Sequence, residues 1–121
     1  MKKHIFIVDD DTAILEVLKI ILEDKGYETT LVSDSEMLLA SLNKKVPDLI
    51  LLDIWLSGLD GQQIVRKLKK TEKVSKIPVI MISASNEGEQ LAKESGADDF
   101  IAKPFEIDHL VNIVQKNLNK N

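Results

Sequence analysis

The stretch "IFIVDDDTA" (5–13) runs four apolar residues straight into three carboxylates, and a helical pattern starts at once behind them. An unbroken apolar run of this kind suits a strand covered on both faces, where an alternating one would suit a half-exposed strand. The pattern repeats along the chain. "HIFIV" (4–8), "LILL" (49–52) and "VIMI" (79–82) read as buried strands, the half-polar "YETTLV" (27–32) as an edge strand, and "DFIAK" (99–103) as a short fifth.

Helical patterns fill the gaps. Residues 12–25 place Ile14, Val17, Leu18, Ile21 and Leu22 on one face, with Gly26 as a stop. Residues 35–45 carry Leu38, Leu39 and Leu42 and end before Pro47. Asp60 suits the N-cap of a helix from Gly61 to about Lys70, built on Ile64, Val65 and Leu68. A short helix over 87–95 stops at Gly96, and a last one over about 106–118 buries Leu110 and Val114. Strict β-then-α alternation with short links predicts an α/β fold: a doubly wound, five-stranded parallel sheet with helices on both faces and right-handed crossovers.

Composition narrows the function. At 121 residues the chain (1–121) fits a single domain, and its 44% apolar content is ordinary for a folded protein. There is no cysteine, so disulfide scaffolds and thiolate metal sites are excluded. The net charge of −4 gives no general attraction to nucleic acid. The one basic cluster, "RKLKKTEK" (66–73), reads as a solvated helix end, favoured there by the helix dipole. His4 and His109 read as surface residues. Aspartates interrupt any signal-peptide core in residues 1–20, and "LILLDIWL" (49–56) is too short for a bilayer. A cytoplasmic protein without membrane contact is expected.

In open parallel sheets, ligands bind beyond the carboxyl ends of the strands, where strand order reverses. The strand ends here are Asp9 and Asp10, Asp53, Ser83 and Lys103. In the flavodoxin-like order 2-1-3-4-5, strands 1 and 3 are neighbours at the switch point, so Asp9, Asp10 and Asp53 share one crevice with Ser83 and Lys103 across it. Three close carboxylates need compensation. An all-oxygen donor set without His or Cys favours Mg²⁺ over zinc. Together Mg²⁺ and Lys103 balance the three acids and leave a pocket able to accept a phosphoryl group. Asp11 is better read as a helix start.

"IVDDD" (7–11), "DLILLDIWLSGLDG" (48–61), "VIMISAS" (79–85) and "GADDFIAKPF" (96–105), in this order, resemble the response-regulator receiver domains of bacterial two-component signalling, similar to the chemotaxis regulator. The resemblance runs from about residue 3 to the C-terminus. It implies that Asp53 accepts a phosphoryl group from a histidine kinase or phosphotransfer protein. Asp10 would ligate Mg²⁺ directly, Asp9 through water, and the backbone carbonyl of Trp55 would complete the protein ligands alongside Asp53. Lys103 would pair with phosphoryl oxygens and Ser83 would donate to one. Phe100 stands at the family's aromatic switch position, and Lys103–Pro104 matches its cis peptide. Output would pass through the face of helix 4, strand 5 and helix 5 to a downstream protein or a phosphorelay. Kinase docking would fall near the first helix and the site loops. Self-phosphorylation and slow self-dephosphorylation are the only reactions expected, so the chain is not an enzyme in the ordinary sense.

Four departures from the family pattern stand out. Ser57 replaces a usual proline, so the loop after Asp53 is less preorganised. Trp55 is bulky for a position overhanging the phosphoryl group and is expected to slow its hydrolysis. The segment between Ser83 and Gly96 is about two residues short, which trims helix 4 or its leading loop. Ile113 stands where relatives with winged-helix output domains often carry an arginine, making this face more apolar. Among rival readings, a haloacid-dehalogenase-like phosphohydrolase would use Asp9-x-Asp11 but leaves no room for an insertion after strand 1 and no task for Asp53. A flavodoxin-like nucleotide binder would need a donor-rich loop where three acids stand. An inactive receiver kept as a protein-binding scaffold is the remaining alternative. Whether the chain acts alone or within a larger regulator stays open at this point.

Overall fold

The structure, a computed structural model, describes residues 2–53 and 61–119. Its elements are β1 (His4–Val8), α1 (Thr12–Asp24), β2 (Glu28–Val32), α2 (Ser35–Lys44), β3 (Leu49–Asp53), α3 (Gly61–Lys70), β4 (Val79–Ser83), α4 (Gly88–Ser95), β5 (Asp99–Ala102) and α5 (Ile107–Leu118). The five strands form one parallel sheet in the order β2-β1-β3-β4-β5. Order and class are those expected from the sequence, and β2 and β5 form the edges.

The unbroken apolar strands serve two helical layers at once. Ile50 and Leu52 of β3 enter the cluster with Leu38, Leu42, Ile64, Val65, Leu68 and Ala92, which belongs to α2, α3 and α4. Leu49 and Leu51 enter the opposite cluster with Leu15, Leu18, Leu22, Leu110 and Val114, which belongs to α1 and α5. Leu51 is fully buried at the centre of the sheet. Leu51→Ala is expected to cost about 2–5 kcal/mol, from lost transfer energy plus an unfilled cavity, read as a lower denaturation midpoint at unchanged slope.

Local chemistry sets the helix ends. Asp11 caps α1, its Oδ1 accepting from Ala13 N at 2.9 Å and Ile14 N at 3.4 Å, as its reading as a helix start requires. Asp34 caps α2 through Met37 N at 2.8 Å. Gly96 closes α4 in the left-handed region at φ 97°, where a side chain would be strained. The Asp60 cap expected for α3 lies outside the described residues.

Several expectations need correction. In α1 the buried stripe is Leu15, Leu18 and Leu22, while Val17 is 53% exposed. Val17 sits one residue, about 100° of helical rotation, from Leu18, so it turns away when Leu15 takes the sheet-facing position. Leu39 of α2 is likewise exposed, on the flank of the Leu38–Leu42 stripe. His4 is a half-buried strand residue, not a surface one: its Nε2 lies 2.6 Å from Thr30 Oγ1 on the neighbouring strand, and burial, seconded by Lys45, lowers its pKa. His109 is exposed as expected. The basic cluster is not wholly solvated either, since Lys69 Nζ donates to Ile77 O at 2.9 Å and to Asp98 Oδ2 at 2.6 Å. Lys69 thereby ties the end of α3 to the approach to β5.

Candidate functional site

β1 and β3 are paired with Val8 opposite Leu52, so the next residue on each, Asp9 and Asp53, stands side by side at the carboxyl ends of the strands. Asp9 is held by its own backbone, which donates to Val32 O at 3.0 Å. Asp9, Asp10 and Asp53 each offer a carboxylate oxygen, all within 4.8 Å of one another. Asp9 is buried, Asp53 partly so, and Asp10 faces solvent. On the far side of the cleft, β5 delivers Lys103. Its Nζ lies 3.2 Å from Asp53 Oδ2 and 3.7 Å from Asp9 Oδ2. The Lys103–Pro104 peptide is cis. Ser83 is buried at the end of β4, its carbonyl accepting from Lys103 N at 2.9 Å and its Oγ from Ser85 N at 2.9 Å. The sequence-predicted residues Asp9, Asp10, Asp53, Ser83 and Lys103 thus all end at one edge of the sheet. Trp55 and Ser57 lie outside the described residues.

Burial pushes the Asp9 carboxyl up to about 6. The Asp11 backbone N–H (2.9 Å to Oδ1) opposes this, Asp53 adds to it by repulsion and a shared hydrogen bond, and Lys103 pulls the other way. The donor set is all oxygen and lies within reach of a single ion, which fits a hard divalent cation.

A raised folded-state pKa gives stability that is fully present below 3.8 and lost as pH rises through about 6. Asp9→Asn keeps the shape and the acceptor for Asp11 N–H but removes the charge. In chelator, the variant is therefore expected to melt several degrees above the parent at pH 7.5, with the gap closing by pH 4. Paired thermal melts at the two pH values check this, and an equal gap at both would contradict it.

Two further polar residues carry no signal in the sequence. Asp99, at the start of β5, accepts from Asn117 Nδ2 at 3.0 Å and Lys116 Nζ at 3.3 Å. Burial raises its pKa, but Asn117, the Phe100 N–H and Lys116 outweigh it and hold the carboxyl below its usual range. Asn117 is itself buried, so this pair pins α5 to β5. No local sequence pattern marks such a pairing, because its partners meet only through the fold. Ile113 is half-buried against the α1–α5 core. Phe100 is half-buried against the α2–α4 core.

A second surface adjoins the cleft. A depression of about 450 Å³ lies between α1 and the β5–α5 turn, lined by Ile14, Val17, Ile21, Pro104, Phe105 and Ile107 and bordered by Lys103. Val17, Ile20 and Ile107 expose 53%, 67% and 54% of their surface. Among the described residues, no helix is long and apolar enough to cross a membrane.

Comparison with known proteins gives a consistent picture. The family model for the response regulator receiver domain matches residues 5–115. Over 123 aligned residues the chain is 37% identical to the DNA-binding response regulator MtrA of Mycobacterium tuberculosis, covering all of this chain and 53% of that protein. The chain therefore spans about half the length of the curated relatives it matches. Among solved structures, the receiver domain of NtrX from Brucella abortus superposes with TM-score 0.89 at 36% identity, covering 97% of this chain and 99% of that one. The receiver domain of sensor histidine kinase PA1611 from Pseudomonas aeruginosa, with a magnesium ion coordinated in its active-site cleft, does so with TM-score 0.90 at 29% identity, covering 99% and 100%.

Proposed function

Because the chain belongs to the response-regulator receiver domain family, a phospho-acceptor signalling family, we propose that Asp53 is its phosphoryl acceptor and that Asp9, Asp10 and Asp53 hold Mg²⁺. The observation that carries this reading is the convergence of three carboxylates within 4.8 Å with one ammonium 3.2 Å from Asp53. When bound, the cation neutralises charge on the acids and on the incoming phosphoryl oxygens. An Asp53 carboxylate oxygen attacks phosphorus, the bond from phosphorus to the donor's histidine nitrogen breaks, and the imidazole leaves. The protein's part is positioning and charge compensation. Lys103 pairs with a phosphoryl oxygen. Ser83 turns its hydroxyl from the Ser85 N–H and donates to another. Phe100 moves into the space behind Ser83, and the face of α4, β5 and α5 carries the change to a downstream protein or the next member of a phosphorelay.

The apolar depression beside Lys103 supplies the donor's landing surface, since a kinase or phosphotransfer protein must bring its histidine to Asp53 past this rim. A net charge of −4 suits output through protein contacts rather than direct binding to nucleic acid. MtrA is a DNA-binding regulator about twice as long, and a receiver of this kind within such a protein would control that activity from a distance. The chain acts as a switch with self-phosphorylation and slow self-dephosphorylation as its only chemistry, in the cytoplasm where its kinases signal. The phosphohydrolase reading has no support, because β1 and α1 are joined by Asp9–Asp11 alone and leave no insertion to close a site. Incubation with acetyl phosphate, with intact mass and released phosphate read from the same tube, tests the proposal. One adduct that requires Mg²⁺ supports it, and neither adduct nor released phosphate would leave only a scaffold role.

A further inference from the structure

We propose that Gly88 is a positioning residue of the phosphorylation response: it lets the first turn of α4 touch both Ser83 and Phe100, so that movement at the site reaches this helix directly. The inference rests on the reading that Ser83 binds a phosphoryl oxygen.

Gly88 opens α4 and is buried, yet its backbone is not in the left-handed region, so conformation gives no reason for glycine there. Space does. A Cβ at this position would come 2.8 Å from Phe100 Cε1, 2.9 Å from Phe100 Cζ and 2.9 Å from Ser83 Cβ, where carbon atoms normally rest about 3.5–4.0 Å apart. The helix backbone therefore lies against both residues at a single point. The Glu87 side chain makes no capping bond; the approach to α4 is a short turn at Ser85, whose Oγ accepts from Glu87 N at 3.1 Å and whose carbonyl accepts from Gly88 N at 3.1 Å, and only Ala84–Glu87 separate β4 from the helix. The Ser85 turn and the tight packing at Gly88 together locate the helix start. When Ser83 turns to the phosphoryl group, the volume it leaves is bounded by Gly88 and the Phe100 ring, and the ring can enter only while residue 88 has no side chain.

Gly88→Ala fills that volume and crowds Ser83 Cβ, while Asp53, Asp10 and Lys103 are not among its nearest neighbours. Amide hydrogen exchange over residues 88–95, with and without acetyl phosphate and Mg²⁺, reads the response, and intact mass reads phosphorylation. The parent should show a phosphorylation-dependent change in exchange. Gly88→Ala should reach the same final labelling with excess acetyl phosphate, more slowly where Ser83 is displaced, while its change in exchange is about fivefold smaller or absent. A full response in Gly88→Ala, or loss of phosphorylation with it, would overturn the proposal. Phe100→Leu lacks the ring atoms Cε1 and Cζ, so in its background Gly88→Ala should lower the melting temperature by less than half as much as in the parent. An undiminished loss would also overturn the contact. Should Gly88→Ala fail to fold alone, recovery of folding by Phe100→Leu supports the contact and failure to recover refutes it. If the parent takes no phosphoryl group, the functional reading falls, while the melting comparison still decides the contact.

Discussion

Asp53→Asn is expected to abolish phosphoryl acceptance from acetyl phosphate. The substitution preserves the volume of the side chain and the end of β3, whose residues Leu49–Leu52 are fully buried and hold the strand whichever residue stands at position 53. It removes the nucleophilic oxygen pair, because an amide oxygen is a far poorer nucleophile and its nitrogen none, and with it one carboxylate of the proposed cation site and the charge facing Lys103. The adduct should vanish from the intact-mass spectrum at donor concentrations that label the parent completely. The same change takes away one source of the upward pressure on Asp9, which comes partly from Asp53 repulsion and the hydrogen bond they share. The variant should therefore fold at least as stably as the parent at neutral pH, so loss of labelling could not be ascribed to unfolding. An undiminished adduct in Asp53→Asn would move the acceptor to another residue and overturn the assignment.

Much of this site is legible without the fold, because its residues are strand ends. A buried parallel strand announces itself by an unbroken apolar run, and the first polar residue after it must emerge at the sheet edge. Asp9, Asp53, Ser83 and Lys103 are all found that way, and the strand order then brings them together. The features that escape such a reading depend on how helices roll against the sheet or on partners distant along the chain. The stripe of α1 differs from expectation by one residue, Leu15 for Val17, because both satisfy a helical period and only the docking angle selects between them. The half-buried place of His4 is hidden in the sequence because its Thr30 partner belongs to the neighbouring strand. The Lys69–Asp98 and Asp99–Asn117 pairs join residues 29 and 18 positions apart. The crowding at Gly88 likewise arises between α4, β4 and β5 and leaves no mark in the local sequence.

Lys103→Met should separate the two tasks assigned to the ammonium, and in opposite directions. Methionine keeps much of the apolar stem, which lines the depression between α1 and the β5–α5 turn, and removes the charge. Without the ammonium 3.2 Å from Asp53 and 3.7 Å from Asp9, both carboxylates lose that positive neighbour. Their field on a divalent cation grows, so Mg²⁺ should bind more tightly. Trp55, the sole tryptophan and two residues past Asp53 in the chain, offers a fluorescence signal for that titration. The phosphoryl oxygens meanwhile lose a preorganised positive partner. Removing one such donor commonly costs on the order of 10²–10³ in rate, and labelling by acetyl phosphate should slow accordingly. Tighter cation binding together with slower phosphorylation is a combination that a damaged fold cannot produce, since damage weakens both. An unchanged labelling rate would reduce Lys103 to a structural ion pair and leave the charge balance of the pocket to the metal alone.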